Sequence, residues 1–169
     1  RTLEFGNGSC WCMLTREDKL YCVVYHSNYG CPVLFEIDTK QWTVTEKAKL
    51  EGYSDIAYLE AVGEHMYVLG RYKNPLRMEY EDDTALTYTN NRIARVRLAD
   101  KQPELELMNV EFPVAMYETD WENLMIYRYV DGVNFGFLEF NPQEETLTEA
   151  GWKNIDGSIN ELGGCGSGF

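Results

Sequence analysis

Short apolar runs, each opened by a polar turn, set the pattern of this chain, and the pattern repeats. Asp18-Lys19-Leu20-Tyr21-Cys22-Val23-Val24-Tyr25 and Asp120-Trp121-Glu122-Asn123-Leu124-Met125-Ile126-Tyr127 share an acidic turn, an apolar run and a closing Tyr, 102 positions apart. The following strand keeps nearly that register. Phe35-Glu36-Ile37-Asp38 meets Leu138-Glu139-Phe140-Asn141, and Thr43-Val44-Thr45-Glu46 meets Thr146-Leu147-Thr148-Glu149, both 103 positions apart, so one inserted loop residue accounts for the change. A fainter middle copy starts at His65-Met66-Tyr67-Val68-Leu69-Gly70, 46 positions after Lys19-Leu20-Tyr21-Cys22-Val23-Val24, and takes Val96-Arg97-Leu98-Ala99-Asp100 as its next strand. Self-similarity at a near-constant offset marks copies of one supersecondary unit.

Each copy predicts four short strands: near 10–15, 20–26, 33–38 and 42–48; near 56–62, 65–71, 92–99 and 104–110; and near 114–118, 123–130, 134–140 and 146–150. The runs are rich in Val, Ile, Tyr, Phe and Thr, which fit a pleated surface, and Asp38-Thr39-Lys40, Asp100-Lys101-Gln102-Pro103 and Asn141-Pro142-Gln143 mark turns. Only Glu46-Lys47-Ala48-Lys49-Leu50-Glu51 has helix-forming composition, and it is too short to stand alone in water. The expected fold is all-β: about three four-stranded antiparallel blade-like repeats, at residues 10–50, 56–110 and 114–150, in a single domain of residues 1–169. Residues 151–169 read as the start of a further unit or a linker. Residues 73–91, with the acidic cluster Glu79 to Asp83, read as a loop inserted in the middle copy.

Four-stranded units of about 40 to 50 residues are what β-propeller blades require. The run Phe35-Glu36-Ile37-Asp38-Thr39-Lys40-Gln41-Trp42 resembles the aromatic, Asp, turn, Trp segment of kelch repeats and of the related propellers in F-box-associated proteins. Leu138-Glu139-Phe140-Asn141-Pro142 is similar to its Tyr-Asp-Pro form. The resemblance implies a β-propeller or part of one. Closed propellers use about 4 to 8 blades, so three predict a portion of a larger ring, completed by further sequence or another copy, or an open assembly of sheets. An exposed unit face would be an apolar patch, which favours a partner surface or self-association.

Composition narrows the function classes. Hydrophobic residues make up 44% of the 169, which excludes a disordered tail. Fifteen basic against 28 acidic residues give a net charge of −13, a sign that repels phosphate backbones and anionic lipid surfaces, so neither nucleic acid nor a membrane is an expected partner. No stretch approaches the ~18 to 20 apolar residues of a membrane span. The start, Arg1-Thr2-Leu3-Glu4-Phe5, lacks a signal-peptide pattern and an initiator Met, and so reads as a processed product or a piece of something longer. The sequon Asn7-Gly8-Ser9 is about what chance supplies. Five cysteines, Cys10, Cys12, Cys22, Cys31 and Cys165, cannot form a complete intrachain disulfide set, and odd usage leans towards a cytoplasmic setting. A three-residue loop after Thr15 would put Cys12 opposite Cys22; a two-residue loop would not. Cys10-Trp11-Cys12 is expected to place both sulfurs on one strand face, as buried free thiols rather than as zinc ligands.

Candidate chemistry is sparse. The two histidines, His26 and His65, sit in no catalytic motif, and Gly163-Gly164-Cys165-Gly166-Ser167-Gly168 has no strand leading into it and no following helix. Glu79 to Asp83 lacks the spacing of a calcium loop. Arg92, Arg95 and Arg97 alternate with apolar residues and are expected as cross-strand partners of carboxylates. No catalytic residue, metal or cofactor is predicted. One constellation repeats: Tyr25-His26, Arg71-Tyr72 and Arg128-Tyr129 fall at the end of each copy's second strand, as aromatic rings beside cationic groups of the kind favoured at binding hot spots. The expected function is a non-catalytic protein–protein interaction module of β-propeller type, whose partner is another protein or the remainder of its own ring. Alternatives are a carbohydrate-binding, lectin-like module that takes a glycan, and a propeller-type hydrolase using acidic residues near a central channel. Far-ultraviolet circular dichroism should show mainly β structure; a helix content above about a third would overturn the fold class.

Overall fold

The computed structural model describes residues 8–25, 28–72, 90–119, 122–131 and 134–150, and the short strands at 152–153 and 159–160. His26, the Glu79 to Asp83 loop, the 163–168 glycine run and Cys165 lie outside the described residues. Among the described residues the chain forms strands and turns, with no helix. The first sheet comprises β1 (Ser9–Arg16), β2 (Lys19–Tyr25), β3 (Pro32–Asp38) and β4 (Thr43–Lys49). The second has β5 (Tyr58–Val62), β6 (His65–Arg71), β7 (Asn91–Arg97) and β8 (Glu106–Leu107). The third has β9 (Pro113–Thr119), β10 (Asn123–Asp131), β11 (Asn134–Asn141) and β12 (Thr146–Glu149), and a hairpin of β13 (Trp152–Lys153) and β14 (Ile159–Asn160) follows. Each four-stranded sheet is an antiparallel meander in chain order.

The repeat expected from sequence is also a repeat of turn chemistry. Asp38 Oδ1 accepts from the backbone N–H of Lys40 at 2.9 Å and Gln41 at 2.8 Å. Asn141 Oδ1 accepts in the same way from Gln143 at 2.9 Å and Glu144 at 3.1 Å. Each loop ends on a residue of positive φ, Trp42 at 57° and Glu145 at 53°. A carboxylate or amide that bonds backbone two and three residues on is the local signal that folds the chain back. The second sheet departs most from expectation. Its fourth strand shrinks from 104–110 to Glu106–Leu107, because the Val110 N–H turns back to Met108 O at 3.0 Å and the chain leaves the sheet before Phe112, φ 50°. The helix-forming stretch at Glu46 joins β4 instead, where pairing with β3 outweighs local preference.

The hairpin after β1 uses a two-residue turn, Glu17-Asp18, which pairs Arg16 with Lys19 and Met13 with Cys22. Cys12 is therefore not opposite Cys22. A bulge at Trp11 sets Cys10 against Val24 but Cys12 against Val23, so the two sulfurs lie on opposite faces rather than on one. The extra residue breaks the period-two alternation from which a shared face follows. Cys12 Sγ then donates to Ile56 O at 3.4 Å, towards the second sheet.

Alternation along the strands gives each sheet two faces, and the sheets stack through them. Tyr21, Val23 and Leu34 of the first sheet pack with Leu59, Ala61, Met66, Val68, Ala94 and Val96 of the second. The other face of the second sheet, with Val62, Tyr67, Leu69 and Ile93, packs with Met116, Leu124, Ile126, Leu138 and Phe140 of the third. A third apolar cluster, Cys22, Val24, Val33, Phe35 and Ile37, occupies the first sheet's opposite face. β6 is thus buried on both sides, with Met66, Tyr67, Val68 and Leu69 at 0% exposure. At Gly70 a Cβ would overlap Asp55 O and lie 2.8 Å from Ile56 Cα, so only glycine admits this close approach. Because the obstacle is backbone, Gly70→Ala is expected to lower stability by about 3 kcal/mol, the upper end of overpacking costs. A urea midpoint equal to that of wild type would show that this close approach is not a constraint.

Candidate functional site

The first strands of the three sheets neighbour one another and run the same way, which fixes what lies at each end of the stack. Cys12 near the start of β1 meets Ile56 just before β5, and Arg16 at its end donates from Nη2 to Gly63 O just after β5 at 2.6 Å. The rings of Tyr58 and Tyr117 meet edge to face at 5.8 Å between β5 and β9. Each second strand is antiparallel to its first. The ends of β2, β6 and β10 therefore fall together, at the end where β1, β5 and β9 begin.

At those strand ends the described residues make local contacts. Tyr25 stacks on the bulged Trp11, centroids 5.2 Å apart and planes 3° from parallel. Arg71 is exposed, its Nε 3.7 Å from Asp55 Oδ2, and its N–H donates to the same carboxylate at 3.2 Å. Tyr72 bridges to Tyr53, meets that ring edge to face at 5.2 Å and packs against the core between the first two sheets. Arg128 reaches Glu149 at 3.2 Å on the third sheet's inward face. Tyr129, on its outward face, meets Phe135 edge to face at 5.4 Å. Arg128 and Tyr129 thus point to opposite sides of one sheet, and so do Arg71 and Tyr72, because neighbours in a strand alternate. The outward face of the third sheet continues the aromatic surface: Tyr127 stacks on Phe135 at 5.0 Å and lies 4.8 Å from Phe137.

The opposite end holds a group that sequence reasoning missed. Glu60 on β5 lies against Glu118 on β9, where the second and third sheets meet. Burial, then the neighbouring Glu118 carboxyl, push Glu60 up to about 7, against the lowering effect of the Glu118 backbone. Burial also raises Glu118, opposed by the Arg16 guanidinium. Nη1 of Arg16 and Oε2 of Glu118 are buried and lack hydrogen-bond partners among the described residues. The sequence signal was a charged residue within an otherwise apolar strand, Glu60 at the middle of β5 and Arg16 and Glu118 towards the ends of β1 and β9, which nothing in one chain distinguishes from a solvated edge.

Two grooves follow the outer strands: a polar one of about 640 Å³ lined by Glu64, His65, Arg97, Asp100 and Glu104, and a smaller one of mixed lining. The smaller, of about 280 Å³ between the second and third sheets, is lined by Arg95, Glu106, Met108, Val110, Phe140 and Glu145. It is smaller than the ~300 to 1,000 Å³ of a typical small-molecule pocket. Across it Arg95 pairs with Glu106 and Glu145, each at 2.8 Å. Arg97 pairs with Glu64 at 2.7 Å, so these two arginines are partners of carboxylates. Arg92 donates from Nη1 to Asn91 O at 2.6 Å. No group of three or more His, Cys, Asp or Glu that could hold a metal occurs among the described residues. Nor is any helix among them long and apolar enough to cross a membrane.

A scan against protein-family models finds no match, and a search of the curated proteins finds no relative.

Glu60 sets a pH dependence with a definite sign. Its carboxyl titrates near 4.5 when unfolded and near 7 in the fold, so between these values the folded chain holds a proton that the unfolded chain releases. Its contribution to stability therefore falls as pH rises through this window. His65, lowered by burial and by Arg95, contributes in the opposite sense as pH rises towards its ordinary 6.5. Comparison with Glu60→Gln, which keeps the shape of the side chain and removes its titration, isolates the Glu60 part. The variant should match wild type near pH 4.5 and be more stable at pH 8 by about 1 kcal/mol, after discounting for solvent screening. Urea unfolding at the two pH values checks this; parallel curves would mean that Glu60 is not held protonated.

Proposed function

We propose that the chain is a non-catalytic protein-interaction module built on the β-propeller plan, similar to kelch and F-box-associated repeats, and that it binds a partner protein through the strand-end surface. The observation that carries this reading is that the ends of β2, β6 and β10 share one end of the stack. They bring there an exposed Arg71, half-buried Tyr25, Tyr129 and Arg128, the last paired with Glu149, and Tyr72 with its ring against the core. Aromatic side chains bury large areas with few rotatable bonds, arginine offers a planar fork of hydrogen-bond donors, and both serve as anchors in interfaces. His26 belongs to the same proposed surface and lies outside the described residues. The aromatic rings on the outward side of β10 and β11 would extend that surface along the third sheet.

A second reading, a hydrolase, is favoured by one observation: a carboxyl held near 7 beside another carboxyl can act as an acid at neutral pH. A hydrolase screen of wild type and Glu60→Gln separates the two readings, since an interaction module shows no turnover in either.

The binding surface is tested by Arg71→Ala and Tyr129→Ala against Lys49→Ala, the exposed last residue of β4. Affinity is measured for a partner isolated with the wild-type chain. Each anchor variant should lose about 2 kcal/mol of binding while its unfolding midpoint stays within about 0.5 kcal/mol of wild type, and Lys49→Ala should change neither. Normal binding by both anchor variants would remove the surface, and early unfolding would assign these residues to holding sheet edges.

A further inference from the structure

We propose that Cys10 and Cys22 form a dithiol that small-molecule disulfides oxidise to a cross-strand disulfide between β1 and β2. The bulge at Trp11 makes the pair. By setting Cys10 against Val24 while Met13 faces Cys22, it puts Cys10 on the same face as Cys22, one step along the ladder. The Cys10 thiol donates to Cys12 O at 3.6 Å, and it lies near enough to the Cys22 thiol for each to shift the other's titration. Cys12, closer to Cys22 in sequence, faces the other way with its thiol on Ile56 O. Cys10 is exposed and Cys22 is 2% exposed, so an incoming reagent meets Cys10 first and Cys22 waits behind it.

The exchange balances with one oxidised glutathione. The Cys10 thiolate attacks one glutathione sulfur; the S–S bond breaks, and a glutathione thiolate leaves and takes up the proton that Cys10 released. The Cys22 sulfur, as its proton passes to solvent, then attacks the Cys10 sulfur of the mixed disulfide. A second glutathione thiolate leaves and is protonated. Two protein thiols are oxidised to one disulfide and one glutathione disulfide is reduced to two thiols. Burial raises both cysteines, and their contact separates them further, lowering Cys10 and lifting Cys22, which reaches about 11. Cys10 is thereby the attacking group, and the exchange accelerates as pH rises. The product ties the innermost strand of the first sheet, which carries Arg16, to its neighbour.

The full chain is incubated with oxidised glutathione at pH 7 and pH 9, free thiols are alkylated, and the digest is mapped by mass spectrometry. The expected result is a peptide linking Cys10 to Cys22, formed at least tenfold faster at pH 9, with Cys12 and Cys31 alkylated. Cys12→Ser should leave the link intact. Cys10→Ser, a change at an exposed position, should abolish it, and Cys22→Ala should stop at a glutathione mixed disulfide on Cys10. A link from Cys12 to Cys22, a persistent mixed disulfide on wild-type Cys10, a chain-to-chain dimer, or no reaction at either pH would each overturn the proposal.

Discussion

Burial of β6 on both faces is the constraint on which the rest of the structure depends. A strand in the middle sheet of a three-sheet stack meets no solvent on either side, so its alternating side chains must all be apolar and must fit two cores at once. Met66 and Val68 fill the one with the first sheet; Tyr67 and Leu69 fill the one with the third. Each side chain of this size contributes about 1.5 to 3 kcal/mol on full burial. The close approach at Gly70 follows from the same requirement. The segment before β5 crosses directly over the end of β6, and only a residue without a side chain leaves it room.

Polar groups then fix how the sheets sit on one another. Lys47 of β4 is buried, and its ammonium donates to Leu98 O at 2.8 Å and Asp100 O at 2.9 Å, tying the outer strand of the first sheet to the turn after β7. Asn91 donates to Pro113 O at 2.9 Å, and Arg95 reaches Glu145, across the joint between second and third sheets. Apolar faces alone slide easily, because dispersion and hydrophobic burial have little directional preference. A buried cation that would be left unpaired by a shift makes sliding expensive. Between the innermost strands Glu60 and Glu118 add a different element, a carboxyl whose proton occupancy changes near neutral pH.

The stack therefore has two unlike ends. One gathers titratable groups between inner strands, where they are shielded and act on the joints. The other gathers the ends of the second strands, where Arg71 is exposed beside half-buried aromatic rings held by their neighbours. Loops and strand ends carried on a stiff core are where binding residues are most often found, since the scaffold holds them in place at no further entropic cost to the partner.

The strands, their grouping into three units and the repeated Asp38 and Asn141 loops were legible in the sequence, because each is fixed by residues within a few positions of one another. Apolar run length, β-branched and aromatic content, and an Asx side chain folding back on its own backbone act locally. The face assignments of Cys10 and Cys12 were not, since a one-residue bulge and a two-residue turn reverse them, and both are decided by the ladder with β2. The last strand of the middle unit was overextended because nothing local says where the chain must leave for the third sheet. Glu60 could not be found at all. A glutamate in a strand carries no mark of its surroundings, and its proton is held by burial and then by the nearby carboxyl of Glu118, a residue brought across from another sheet by packing alone.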